Sequence, residues 1–356
     1  MIKRNRNIIT ALGLTGNTIK SEALAGVLAL TAGLVVTLLL IGMVSGTPLV
    51  ALADFFTGVW SSSFYIGNLL NTASLFMWAA LGACLALASG SLNLGGEGQI
   101  YVSGFVAALV LFYGGECGLP ASVTVGFAGI AAVSAGVLSV AVPVVLYRYR
   151  RSTELLTTFL VSAITIPLID AAISGPLRDT TKNLLAIPAF AENLRLPRLL
   201  PPSSFNISFF LALIVCVGVA FALYTTKKGA DFCLSGKAPD FARYAGCNVE
   251  KIRGIGLLLS GAFHGLAGFF AVWGTYYTCH SGFYSGMGWT ALSVALIAKT
   301  NPIGVIPAAL LLSWIFTAVD RSAIMYSFSF DIESIIQGTI LFFISAQYIV
   351  NKRKDR

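Results

Sequence analysis

The sequence predicts an all-α fold: a polytopic integral membrane protein of about ten transmembrane helices, some of them short and broken. Three observations carry the prediction. Of 356 residues, 56% are hydrophobic and only 11% are charged, against about 25% charged in a soluble globular chain. The mean hydropathy is +0.83. The apolar runs reach the ~20 residues that a helix needs to cross the hydrocarbon core, and the alternating segments of about 10 residues that build a transmembrane barrel are absent. An ordinary water-soluble enzyme, a disordered chain, a coiled coil and a disulfide scaffold are excluded on the same composition.

In chain order, the spans fall near 22–44, 64–88, 98–114, 119–146, 153–175, 206–226, 250–277, 287–299, 302–320 and 331–350, the third and eighth being short. The first, from Ala23 to Val44, is too long for a signal-peptide core and has no evident cleavage site, so it reads as a span. The net charge is +8. With both termini in the cytoplasm, the outer segments hold only Arg178, Lys182, Arg195, Arg198 and Arg321 of the 23 basic residues. That asymmetry is the positive-inside pattern. The charge therefore reports orientation in lipid and not nucleic acid, for which no RNP-like or zinc-finger spacing is present.

Two segments stand outside the spans. Residues 176–205 form the longest outer loop, rich in proline and expected to be extended and ordered by its neighbours. Residues 226–249 form the longest inner loop and the most polar stretch of the body. No repeat with a period of 20–50 residues is visible, so 1–356 reads as a single transmembrane domain.

The usual chemical motifs are missing. No phosphate-binding G-x-x-x-x-G-K-[ST] and no H-E-x-x-H occur, and no serine sits in a nucleophile elbow. The six cysteines are scattered without a C-x-x-C, and adjacent Cys279 and His280 do not make a metal site. No catalytic residue, metal or cofactor is expected in this chain, and a carrier or permease is the better class.

The segment 88–99 is the first informative one. It holds four glycines with Asn93, Gly96, Glu97 and Gln99 between two apolar spans. Glycines at that density interrupt a helix, and broken helices build the binding sites of transporters. A plain turn of small polar residues is the other reading, and spacing does not separate them. His264 lies inside the seventh span beside Gly261 and Gly265, a G-x-x-x-G pair that lets helices approach; it reads as an interhelical donor rather than a proton relay. Trp78 and Phe105 lie near the candidate path, where a flat heterocycle would stack; an interfacial aromatic belt is the alternative. Glu154 and Asp170 read as helix-end residues.

In the inner loop, Pro239 is placed as the first residue of a helix and Gly246 as its stop. Asn248 can cap the next span. The short helix carries Phe241, Tyr244 and Ala245 on one side, with Asp240 and Arg243 more polar. It suggests a docking element for a partner, or a helix lying on the bilayer surface.

At these residues the chain resembles the permease subunits of ATP-binding-cassette importers of the simple-sugar and purine-nucleoside type, the branched-chain amino acid/ribose-like permeases. Asn93-Leu94-Gly95-Gly96-Glu97-Gly98-Gln99 is similar to their N-[IL]-G-[AG]-E-G-Q. Gly236, Pro239, Ala242, Arg243, Tyr244, Ala245 and Gly246 match their inner loop, with Cys233 where arginine is usual. Leu259 to Gly268, Ser281-Gly282-Phe283 and Asn301 to Val305 follow in order. Thr153-Glu154 stands where Asn-Glu is common. Gly175 to Asp179 and Leu196 to Leu200 resemble the nucleoside branch.

The resemblance implies a permease in a bacterial cytoplasmic (inner) membrane, importing a small polar solute, a purine nucleoside first, with a simple sugar or riboflavin as alternatives. It implies a cytoplasmic ATP-binding subunit that holds the ATP and Mg, a second and non-identical permease, and an extracytoplasmic binding protein or lipoprotein. Gly236 and the residues from Pro239 to Gly246 would form the coupling helix. Asn93, Gly96, Glu97, Gln99, Trp78, Phe105 and His264 would border the path. The competitor from another class is an ion-coupled secondary carrier, which would need membrane-buried acids and an inverted repeat.

Overall fold

The computed structural model describes residues 31–43 and 45–326, together with 334–335, 338–339 and 341–343. Among the described residues the regular elements are helices, apart from one antiparallel bridge between Ala186 and His280. Seven of these helices are long and apolar enough to cross a membrane.

The chain divides into two compact units, Thr57–Thr317 and the pair Met1–Phe56 with Ala318–Arg356. In the latter, α1 (Thr31–Met43) is the described part of the expected span 22–44. A helix that the spans leave in an outer segment, α2 (Pro48–Thr57), comes after it. Proline at its first position has the helical φ already set. Asp54 of α2 forms an ion pair with Arg321. The expected span 331–350 lies outside the described residues except for a few helical positions.

The larger unit is built on α3 (Ser63–Ala88). Of its most apolar window, 89% is buried, against 22% for α5 (Ala121–Arg150) and α6 (Glu154–Ser174), whose outward faces are apolar. A helix apolar all round belongs at the centre of such a bundle. Ser62 caps α3 by accepting from Phe64 N. Next to it stand α7 (Ser208–Thr225) and α10 (Val249–Ala271), which continues as a π-turn over Val272–Tyr276, while α4 (Gly96–Glu116) packs on α5, α6 and α10. The short α11 (Met287–Ile297) precedes α12 (Pro302–Tyr326), whose last turns belong to the other unit. Each expected span from 64 to 320 meets one of these helices within a few residues.

Glycines set a close crossing of α5 and α10. A Cβ on Gly136 of α5 would strike the Gly261 carbonyl, and one on Gly261 would strike the Gly136 carbonyl. Gly265 meets the Ala132 carbonyl in the same way at 2.8 Å. The G-x-x-x-G pair of α10 thus packs backbone to backbone against α5, as small residues allow in lipid.

The polar stretch between α7 and α10 is also helical. It contains α8 (Lys227–Lys237) and α9 (Pro239–Tyr244), with Pro239 at the first position of α9 and Gly246 at φ +86° just beyond it. Asn248 caps α10 by accepting from Lys251 N at 2.9 Å. At the opposite end of α10, residues 176–205 are held by neighbours as expected. Ile187 N donates to Cys279 O at 3.0 Å, Ser281 N to Leu185 O at 2.8 Å, and Trp273 Nε1 to Leu194 O at 2.7 Å.

Candidate functional site: an irregular polar segment inside the bundle

Between α3 and α4 the chain leaves helical geometry over Ser89–Gly95 without leaving the protein. Ser89, Ser91 and Asn93 are buried. Buried irregular backbone must find its hydrogen bonds within protein, and it does. Asn93 Nδ2 donates to Gln99 Oε1 at 2.8 Å and to Ser260 Oγ at 2.9 Å, while Asn93 Oδ1 accepts from Gln99 Nε2 and Gly95 N. Gln99 Oε1 lies 2.7 Å from His264 Nδ1. Three elements are joined in one buried network, and His264 is an interhelical partner as its sequence context indicated.

A face of α6 grips the other side. Leu94 N donates to Thr158 Oγ1 at 3.1 Å and Gly98 N to Ser162 Oγ at 2.8 Å; Ser91 Oγ reaches Glu154 Oε1 at 3.5 Å. Glu154, Thr158 and Ser162 recur every fourth residue along α6, and that stripe was the signal available in the sequence. Gly95 and Gly98 let α6 come close: a Cβ there would sit 2.6 Å from the Thr158 carbonyl oxygen and from Ser162.

The start of α4 also meets the start of α11. A Cβ on Gly96 would lie 3.2 Å from the Gly288 Cα, and the Glu97 carboxylate lies beside the Gly288 and Trp289 amides. Trp78 is buried in a stack, its ring 5.0 Å from Phe270 and 6.4 Å from Phe263. Phe105 is partly buried further along α4.

Higher along α4 is a cluster that sequence reasoning does not assemble. Asp170 of α6 accepts on one oxygen both Tyr101 Oη at 2.6 Å and Ser281 Oγ at 2.7 Å. Tyr101 is fully buried, with Tyr284 at 4.9 Å and Phe283 at 5.5 Å, ring to ring. Tyr101 and Ser281 lie 69 and 111 positions from Asp170 in the chain, so no local spacing announces them.

At the other end, α8 packs onto the turn that opens the irregular segment. A Cβ on Gly236 would fall on the Ala88 carbonyl, and one on Gly256 of α10 on the Ser89 hydroxyl. Beyond Gly236 the chain protrudes. Phe241 is 61% and Tyr244 91% exposed, while Ala242 is buried beneath them. Arg243 holds the knob together, pairing with Asp240 and Glu250 at 2.9 Å each. Pro239 is partly buried; Ala245 and Gly246 are exposed.

These features have counterparts among known proteins. Residues 65–345 match the family described as branched-chain amino acid transport system / permease component. The chain is 36% identical over 329 residues to the probable riboflavin import permease protein RfuC of Treponema pallidum, covering 90% of this chain and 85% of that protein. It is 27% identical over 335 residues to the guanosine ABC transporter permease protein NupP of Bacillus subtilis, covering 93% and 95%. It is 26% identical over 317 residues to the glucose ABC transporter permease protein TsgB13 of Haloferax volcanii, covering 86% and 83%.

Proposed function

Because the chain belongs to the family of branched-chain amino acid transport system permease components, we propose that it forms one half of an ATP-driven import path for a small heteroaromatic solute. As a permease of that family it is membrane-embedded and carries solute rather than transforming it. The further reading is that the energy comes from a cytoplasmic ATPase, that a second, non-identical permease completes the path, and that an extracytoplasmic binding protein delivers the ligand. The membrane is then the bacterial cytoplasmic one, with both termini inside.

The observation that carries this reading is the α8–α9 knob. A short helix that leaves two aromatics exposed on a polar protrusion suits the pocket of a partner, where such side chains act as anchors. Gly236, Pro239, Asp240, Phe241, Arg243, Tyr244, Ala245 and Gly246 are the proposed coupling surface. Closure of the ATPases moves α9; Gly236 presses on the Ala88–Gly90 turn, and the helices rock between two packed states. The irregular segment with Asn93, Gly96, Glu97 and Gln99, flanked by Trp78, Phe105 and His264, is the proposed wall of the path. Its buried network gives that wall a fixed shape.

Riboflavin becomes the first solute to test, ahead of a purine nucleoside and a sugar, because the 36% identical relative bears that name. The guanosine permease supports the nucleoside reading at 27% identity. The test of coupling is crosslinking. Arg243→Cys and Tyr244→Cys in the assembled importer should each form a crosslink to the ATPase. Absence of contact from both removes the coupling assignment.

A further inference from the structure

The last turn of α5 gathers positive charge that the chain itself does not balance. Arg148, Arg150 and Arg151 fall within four positions, and all three are exposed. Arg151 adopts φ 51° and its N–H bonds Tyr147 O at 3.0 Å, which stops the helix there. Arg253 of α10 donates to Tyr147 Oη at 3.3 Å and brings a fourth guanidinium to the same end. Among the described residues these four arginines form no ion pair. Of the acids nearest along the chain, Glu154 faces Ser91 at 3.5 Å and Glu250 is paired with Arg243 at 2.9 Å. A helix C-terminus attracts cations, but guanidiniums side by side repel one another. Ser152, next to them, has a buried hydroxyl without a hydrogen-bond partner among the described residues. An anion answers both features.

The same helix shows what carries that anion. Leu138, Val142, Val145 and Tyr149 recur at spacings of four and three, so they share one face of α5, and all four are exposed. From Leu138 to Tyr149 the helix rises about 16 Å, roughly half of a ~30 Å hydrocarbon layer. The stripe therefore has the depth of one leaflet and ends at the arginines. Phe127 and Ile130 continue the face toward the other end and are exposed as well, but no lysine or arginine lies between Glu116 and Arg148.

We propose that Arg148, Arg150, Arg151 and Arg253 seat the headgroup of an anionic phospholipid whose acyl chains lie along the Leu138–Tyr149 stripe. The site goes beyond the transport reading and uses only its orientation, which puts this end of α5 in the cytoplasmic leaflet. Guanidinium forks match phosphate oxygens two at a time. Tyr149 stands where an amphipathic ring belongs, at the boundary of hydrocarbon and headgroups. A zwitterionic lipid also has a phosphate, but its ammonium brings a further cation to four that are already unpaired, so the cluster selects net negative heads. Basic residues at the membrane surface add their attraction one by one. An ATPase surface is the competing occupant, and it leaves unexplained why the charge ends an exposed apolar stripe of leaflet depth.

The test uses the assembled protein in nanodiscs that hold phosphatidylglycerol and phosphatidylcholine in equal amounts, one of the two bearing a photoreactive acyl chain. Labelled peptides are mapped by mass spectrometry. Photoreactive phosphatidylglycerol should label the Leu138–Tyr149 stretch at least about tenfold more than phosphatidylcholine does, with no such preference at Phe127 and Ile130. Arg148→Gln with Arg150→Gln should bring the two lipids to within a few-fold, and Arg150→Lys should keep most of the preference. Should the double variant fail to assemble, Arg150→Gln alone should lower the ratio about fivefold. Glycerol phosphate, compared with chloride at equal ionic strength, should leave the labelling unchanged. Equal labelling by both lipids, the same preference at Phe127 and Ile130, or a preference that survives the glutamines overturns the site. So does displacement by glycerol phosphate, which marks a soluble-anion site, or a crosslink from Arg150→Cys to the ATPase, which gives the arginines to that surface. Uptake plays no part in the readout, so failure of the importer reading leaves this result standing.

Discussion

Gly236 is where the protruding helix pair touches the buried segment, and its replacement by alanine isolates that contact. The added Cβ would fall on the Ala88 carbonyl oxygen and lie 2.9 Å from both the Ala88 carbonyl carbon and the Gly90 nitrogen. These neighbours are backbone, so no rotamer change relieves the clash; α8 or the turn must move. Overpacking of this kind costs about 1–3 kcal/mol. At about 2 kcal/mol, the population of any conformation that needs the tight contact falls about thirtyfold. The exposed face of α9 lies beyond Gly236 and is untouched, so docking should survive. The assay is ATP-dependent uptake in proteoliposomes of the assembled importer, with ATP hydrolysis followed in parallel. Gly236→Ala should retain assembly and hydrolysis while uptake drops by more than an order of magnitude. Wild-type uptake in a variant that assembles normally would refute the claim that force passes through this contact.

Three other outcomes are expected from the geometry. Asn93→Leu strands Gln99, Ser260 and the Gly95 amide, each worth about 1–3 kcal/mol when left buried and unpaired; detergent-solubilised protein should melt at a clearly lower temperature in a thiol-dye assay reading buried Cys84 and Cys216. Trp78→Ala empties the stack on Phe263 and Phe270 and should cost about 3–5 kcal/mol in the same assay, with Trp78→Phe restoring most of it. In the 176–205 loop, the hydroxyl and then the amide of Thr181 hold the Asp179 carboxyl below the usual carboxylate range, with Lys182 adding to them. A depressed carboxylate stabilises above its unfolded value, near 3.9, and loses that effect as pH falls through the native one. Pepsin cleavage within the loop should therefore rise only below about pH 4, and Asp179→Asn should flatten that dependence.

The spans were legible because length and hydropathy alone decide them. The knob was legible because Pro239 and Gly246 bracket it and Asn248 caps the helix after it. Its neighbour α8 was not: Gly229 and Gly236 each cost a helix about 1 kcal/mol. It forms because Thr226 caps it and Phe232 packs with Leu85 and Leu223, contacts set by distant parts of the chain. Asp170 shows the same limit. At a helix end it looked like a residue reaching for water, yet Tyr101 and Ser281 claim it from two other elements. For the 89–99 segment the sequence marked the break and its polar residues, but a turn and a broken helix share that composition. In the structure it links two full-length helices, with Asn93 buried and tied to Gln99 and Ser260, partners that no local spacing names. Gly261 and Gly265 announced a close approach without naming Gly136 on the opposite side.

The brevity of α11 bears on how the polypeptide is made. Eleven residues rise about 16 Å, roughly half of a ~30 Å hydrocarbon layer. During synthesis such a stretch has too little length to settle across lipid by itself. It must wait for α3 and α4, already emplaced, to offer it a berth, so the segment from α11 onward is threaded into a scaffold that earlier translation has left standing.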